Sequence, residues 1–112
     1  MSAPRLMHQL ELEAPERVSD GAGGFTENWV VLGTHWAQLV ARSGRETASR
    51  GTPVSRVGYK IIVRSAPLGS VQRPKPQQRF RTGTRVFSIQ AVADYDAACR
   101  YLTCFAEEEV VV

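Results

Sequence analysis

Hydrophobic and polar positions alternate with period two in several separate stretches of the chain, the pattern of half-buried strands. In Leu6-Met7-His8-Gln9-Leu10-Glu11-Leu12-Glu13, Leu6, His8, Leu10 and Leu12 share one face, with Gln9, Glu11 and Glu13 on the other. Ser19-Asp20-Gly21-Ala22-Gly23-Gly24 is a glycine-rich turn cluster. Asn28–Val31 and Thr34–Ala41 read as one strand broken at Gly33 or as two short ones, with Trp36, Leu39 and Val40 as core contacts. Arg42–Pro53 is polar, lacks a hydrophobic face and contains Gly44, Gly51 and Pro53. It predicts a long loop with room for a helical turn around Glu46–Ser49. Val54–Ser65 is the clearest second strand: Val57, Tyr59, Ile61 and Val63 lie on one face, and Arg56, Lys60 and Arg64 on the other, interrupted by Gly58 and Ile62. Ala66–Gln78 holds Pro67, Gly69, Pro74 and Pro76 and predicts a second long connection. Arg79–Arg81 and Val86–Val92 flank Thr82-Gly83-Thr84 as a hairpin, and Arg100–Glu107 follows a turn at Ala93–Ala97 as the last strand. The sum is an all-β fold, a small antiparallel β-barrel or sandwich of about six strands with two long loops, at 42–53 and 66–78.

Length and composition narrow this further. The 112 residues fit one domain, 1–112. A hydrophobic fraction of 43% and a charged fraction of 22% are ordinary for a soluble globular protein. At this size the surface-to-volume ratio is poor, so association between copies would help. No apolar run approaches the roughly 20 residues of a membrane span, and Met1-Ser2-Ala3-Pro4-Arg5 lacks the apolar core of a signal peptide. Cys99 and Cys104 are too few for a disulfide framework. Strand parity points them to opposite faces, so two buried thiols are expected instead of a bridge.

Charge is unevenly placed. The net value of +3 conceals a basic middle between acidic ends. From Arg42 to Arg85 there are eleven Lys or Arg residues opposed only by Glu46, a local balance of +10. Such a section can create a positive field, although a solvated face with no partner accounts equally for the count. Arg matches phosphate oxygens well, and Arg45, Arg50, Arg73 and Lys75 fall in the two predicted loops, where side chains project from a rigid body. Tyr59, Phe80 and Phe87 are the few aromatics in this section, which favours loose contact with the phosphate backbone over stacking on bases. No motif for reading base sequence is present.

Candidate chemistry is sparse. His8 and His35 have no cysteine, acid or second histidine at metal-ligand spacing, so no metal site and no cofactor are expected. His8, on the apolar face of its strand, reads as a core or interface histidine. Cys104 has apolar neighbours, unlike the electropositive, partly open setting of a catalytic thiolate. Asp94 and Asp96 could serve acid–base or cation chemistry, but at a turn their ordinary role is to cap backbone donors. Gly21–Gly24 is not followed by Lys-Ser/Thr and is not a phosphate loop. No catalytic residue is assigned, and an enzyme is not expected.

The order of features resembles the head–tail joining proteins of tailed phages and their counterparts in gene transfer agents. The matching pieces are Leu10-Glu11-Leu12, Asp20-Gly21-Ala22-Gly23-Gly24-Phe25 leading to Trp29, Thr34-His35-Trp36-Ala37-Gln38-Leu39, and Ser43-Gly44-Arg45-Glu46. Ile61-Ile62-Val63-Arg64, Arg85-Val86-Phe87-Ser88-Ile89 and Ala98–Cys104 complete the series, about residues 5 to 107. Each piece is a common β-protein phrase, and it is the order and spacing that carry the likeness.

The resemblance implies a small β-barrel subunit of a homo-oligomeric ring in the neck of a virion or phage-like particle, assembled in the bacterial cytoplasm. Such a ring closes the DNA exit channel as a stopper and supplies the surface on which the tail docks. Its partners would be the portal or adaptor ring, a tail terminator or tail-tube protein, and double-stranded DNA passing through the lumen without sequence specificity. Membrane is not among them. The loop at Ser43–Pro53 would then lie near the lumen or at a ring-to-ring contact. Arg45, Arg50, Arg73 and Lys75 become the candidates to face DNA, and Glu46, Glu107, Glu108 and Glu109 the candidates for contacts between subunits. The resemblance does not separate a stopper from an adaptor or a tail-completion subunit. A free-standing nucleic-acid-binding β-barrel is the rival reading and predicts salt-sensitive binding by the isolated protein. A small hydrolase using Cys104 or the Asp94/Asp96 pair is a third, with no substrate to name.

Overall fold

The structure, a computed structural model, describes residues 3–49 and 52–111, with side chains over 3–42 and 55–110. The described chain contains six strands: β1 (His8–Ser19), β2 (Phe25–Ser49), β3 (Thr52–Arg64), β4 (Arg79–Thr82), β5 (Arg85–Asp94) and β6 (Tyr101–Val111). All neighbours are antiparallel, in the order β1-β2-β3-β6-β5-β4. Glu11–Arg81, Leu12–Phe80 and Glu13–Arg79 then pair β1 with β4, so the sheet closes on itself as a barrel.

Alternation decides which side chains fill the interior. Leu10 and Leu12 of β1, Ile61 and Val63 of β3, Phe80 of β4, Phe87 and Ile89 of β5, and Leu102 and Cys104 of β6 are all buried. On β2 the inward positions are Ala37 and Leu39. Trp36 is 53% exposed and Val40 37% exposed, so neither is the core residue expected from the sequence. Trp36 and Val40 lie on the outer, even-numbered face of the register. Burying the core side chains at about 25 cal/mol per Å² of apolar surface is the main source of stability, and most of it resides in the closed part of the sheet.

The connection at 42–53 is not a loop. β2 runs to Ser49 and β3 begins at Thr52, paired in register from Ser43–Gly58 to Ser49–Thr52. Neither the loop nor the helical turn at Glu46–Ser49 is present. Strand pairing is made by backbone groups, so a segment without apolar alternation can still be a strand. A bulge between Ala41 and Ser43 starts this extension, and β6 follows β3 along it as far as Val54–Val111.

A second extension leaves the barrel elsewhere. β1 pairs with β4 only over Glu11–Glu13, and β2 pairs with β3 only from Ala37. Residues 14–19 and 25–31 therefore form a two-stranded arm, turned at 20–24. Asp20 Oδ1 accepts the Ala22 and Gly24 amides at 2.8 and 3.1 Å, and Gly21 and Gly23 supply the positive φ that this turn requires. The molecule is elongated, 51 × 34 × 21 Å.

The connection from 65 to 78 is the long loop that the prolines announce. Pro74 is fully buried, and Gln77 and Gln78 exchange backbone hydrogen bonds with Ile89. The end of the loop from Pro74 to Gln78 therefore packs into the core and alongside β5, while Leu68 and Val71 stay exposed.

Candidate assembly surface

The barrel register brings the acidic ends onto the basic middle within one chain. Glu13, only 3% exposed, receives Arg79 Nε on Oε1 at 2.7 Å and Arg81 Nε on Oε2 at 2.9 Å. Burial opposes its charge, but the hydrogen bonds and charges of Arg79 and Arg81 together hold the carboxyl below its ordinary value. At the β3–β5–β6 junction Arg85 forms a two-point contact with buried Glu108, Nε–Oε2 2.8 Å and Nη2–Oε1 3.0 Å. The Arg85 guanidinium also lies over the Phe87 ring, 4.9 Å from its centre. Arg56 pairs with Glu109 at 3.2 Å, and Arg81 reaches Glu11 at 3.6 Å. Four cations of the basic section are thus neutralised by β1 and β6 of the same chain, and its positive field is much weaker than the count of residues implies.

The described positions assigned to a DNA channel lie toward opposite ends of β3. The Arg50 position and the side chains of Arg45 and Glu46 lie outside the described residues. The Arg45 backbone pairs with Arg56 in the β2–β3 extension. Arg73 and Lys75 lie in the connection that leaves the opposite end of β3, a strand roughly 40 Å long at ordinary rise. Arg73 is partly buried and donates from Nη1 to the Ala66 carbonyl at 2.8 Å, whereas the Lys75 side chain is exposed. Of the acids assigned to subunit contacts, Glu108 is engaged inside the fold. The Glu109 side chain stays 57% exposed beside Arg56, and Glu107 has its own interaction.

The groups weighed for chemistry are structural. Burial pushes the Cys104 thiol up to about 12, against a smaller opposing effect of Arg73, so it is not a thiolate at neutral pH. Cys99 is exposed, contrary to the expected second buried thiol, and both cysteines are free. Asp96 caps the turn as anticipated: Oδ1 accepts the Arg100 amide at 2.9 Å and Oδ2 lies 3.2 Å from Arg100 Nε. Asp94 pairs with Leu102 in the sheet. His8 is exposed, not a core residue, because β1 begins there and only Leu10 and Leu12 reach the interior. His35 packs edge-on against Phe80, and burial depresses its pKa against a backbone contact with Gln72, leaving it neutral. Among the described residues no three His, Cys, Asp or Glu side chains converge on a metal site.

What the sequence left unremarked is the outer face of the β1–β2 arm. Register places Pro15 beside Trp29, Arg17 beside Glu27 and Ser19 beside Phe25. Phe25 is 61% exposed and Val31 47% exposed. The signal was present as period-two spacing of Phe25, Trp29 and Val31 around Glu27, but a strand without a buried side gives no core to test it against.

The family model of the phage head completion protein matches residues 1–109. Among solved structures, a chain of the virion of a native gene transfer agent particle is similar over 98% of this chain and 100% of its own length, with 48% identity and a TM-score of 0.88. No curated protein matches. A match over nearly the whole barrel and both extensions, together with polar groups engaged in structure rather than chemistry, decides the class: the chain belongs to the phage head completion protein family, structural subunits of the virion and not enzymes.

Proposed function

We propose that copies of this chain form a ring in the neck of a phage or gene-transfer-agent-like particle, closing the DNA exit channel after packaging and offering a surface to the tail. The carrying observation is the near full-length likeness to a chain of a gene transfer agent virion. The ring would sit between the portal or adaptor ring and a tail terminator or tail-tube protein. Repetition around an axis turns one exposed cation per subunit into a positive collar, which suits passage of DNA without sequence readout. Arg45 of the β2–β3 extension, Arg50, which lies outside the described residues, and exposed Lys75 are the residues we assign to that collar. Arg73 serves the loop through its Ala66 contact and is a weaker member. Glu46, Glu107 and Glu109 remain the acidic candidates for contacts with neighbours, while Glu108 serves the fold through Arg85.

The test is made in assembled particles. Arg45→Glu with Arg50→Glu, and separately Lys75→Glu, should lower the DNA retained per particle while the number of copies incorporated stays the same. Retention equal to wild type in both variants would remove these residues from the channel. Cross-linking of whole particles followed by mass spectrometry should join the chain to portal or adaptor protein on one side. Links to tail proteins alone would make it a tail-completion subunit.

A further inference from the structure

The β1–β2 arm presents apolar surface that the described residues of its own chain cover only in part. A two-stranded ribbon is marginally stable alone in water, yet this one carries Phe25, Trp29 and Val31 on a single face. Arg17 lies 4.5 Å over the Phe25 ring and Arg79 4.0 Å over the Trp29 ring, each covering only part of it. Glu27 stands between the two aromatics and makes no ion pair among the described residues. Glu16, on the other face, is also exposed and unpaired among the described residues. The edges of the ribbon are open, since β4 and β3 have both left it.

The complementary pattern occurs elsewhere on the barrel. On the outer face of β2, β3 and β6, register sets Val40, Lys60 and Phe105 side by side. Val40 is 37% exposed, and Arg42 lies 5.2 Å over the Phe105 ring. On the same face of β3 the next residue, Ile62, is already buried together with its neighbour Thr103, and Arg64 lies beyond it. Neither Lys60 nor Arg64 has an acidic partner among the described residues. Glu107, the next acid on this face of β6, is already engaged. One surface is thus apolar with an unpaired acid between its rings, and the other apolar with unpaired bases.

The arm cannot reach this face of its own chain. Trp29 and Val40 lie on the same strand, β2, and stand roughly 35 Å apart at strand rise. We infer that the β1–β2 arm of one copy lies on the outer β2–β3–β6 face of the next, with Glu27 meeting Lys60 or Arg64 while Phe25 and Trp29 cover Val40 and Phe105. Two different surfaces meet in such a contact, which makes it head-to-tail, and repetition closes it into a ring when the rotation permits. The inference rests on the ring reading above and supplies its interface. Opposite charges set the register and partner, and the apolar rows exclude water from them.

The experiment uses whole particles carrying a photo-cross-linking amino acid in place of Phe25. Irradiation should give a species of twice the subunit mass whose linked peptides come from the β3 segment around Lys60 or the β6 segment around Phe105. Links to another virion protein, or none, overturn the interface. As a second readout, Glu27→Lys and Lys60→Glu should each weaken a contact about threefold, and the loss repeats at every subunit, so incorporation falls steeply. Combining them should restore it. All these positions are exposed, and thermal unfolding of the isolated variants should match wild type. If the double change fails to recover while both single variants stay folded, the pairing is wrong. Quantitative mass spectrometry of wild-type particles separates the two levels: one copy per particle sinks the ring itself, whereas many copies with the arm linked elsewhere sink only this interface.

Discussion

Glu13 joins two strands that are distant in sequence, and its charge is held by Arg79 and Arg81 in a nearly dry setting. Replacing it with Gln keeps the shape and removes the charge. The expected loss at neutral pH is about 2 kcal/mol, less than for a fully buried pair because Arg81 is partly in water. The folded-state pKa is lowered, so this stabilisation is complete above the ordinary glutamate range of about 4 and disappears as the pH falls through the folded value. Urea unfolding of wild type and Glu13→Gln should therefore converge in acid, and a gap independent of pH would mean that the charge is not the cause. Cys104 gives a second prediction. With its thiol pushed up to about 12 and Cys99 exposed, a thiol reagent at neutral pH should modify one cysteine quickly and the other only on unfolding. Two fast thiols would contradict the burial. Neither pairing was legible beforehand. Charge counts are additive along a sequence, but Glu13 meets Arg79 and Glu108 meets Arg85 only through a closed register, which no local pattern encodes.

Elements were more legible than pairs wherever one side of a strand is buried. Leu10 and Leu12, Ile61 and Val63, and Phe87 and Ile89 announce their strands by period two. The prolines announce the 65–78 connection. The extension at 42–53 leaves no such mark, because backbone pairing does not require an apolar side. Gly33 was read as a possible break, and the physical reason for it is different. The extra residue of the β2 bulge is Leu32, between pairs Leu12–Gly33 and Glu13–Val31. Its carbonyl accepts Gln72 Nε2 at 2.8 Å, so the long connection is tied to β2 at this point. A Cβ on Gly33 would collide with the Gln72 side-chain amide. Gly33→Ala should displace that amide and cost about 1 kcal/mol, much the same as Gln72→Ala. The double variant should be little worse than either single one, since both remove one hydrogen bond. Strict additivity in denaturant unfolding would show that Gly33 is required for some other reason.

At the scale of the molecule, stability and contact surface occupy different places. The closed sheet holds the apolar core, while the β1–β2 arm lies outside it with its residues mostly exposed. Family and fold class were legible because order and spacing along the chain survive without knowledge of pairing. The arm's outward face was not, since its partner surface belongs to another molecule. This division predicts a gradient of local opening in the isolated chain. Amides of Ile61, Val63 and Leu102 should exchange only on global unfolding, whereas those of residues 14–19 and 25–31 should exchange early. Packing of the arm against a second copy would remove that difference, so hydrogen exchange measured on intact particles should slow across 14–19 and 25–31 and also across the β3 segment around Lys60. Slowing at the arm alone would place a different protein on it. Unchanged exchange at both would mean that the arm stays in solvent, and that the exposed aromatics at Phe25 and Trp29 serve only their own cation contacts. The gradient in the free chain tests the fold, and its disappearance in the particle tests the assembly, with the same amides reporting both.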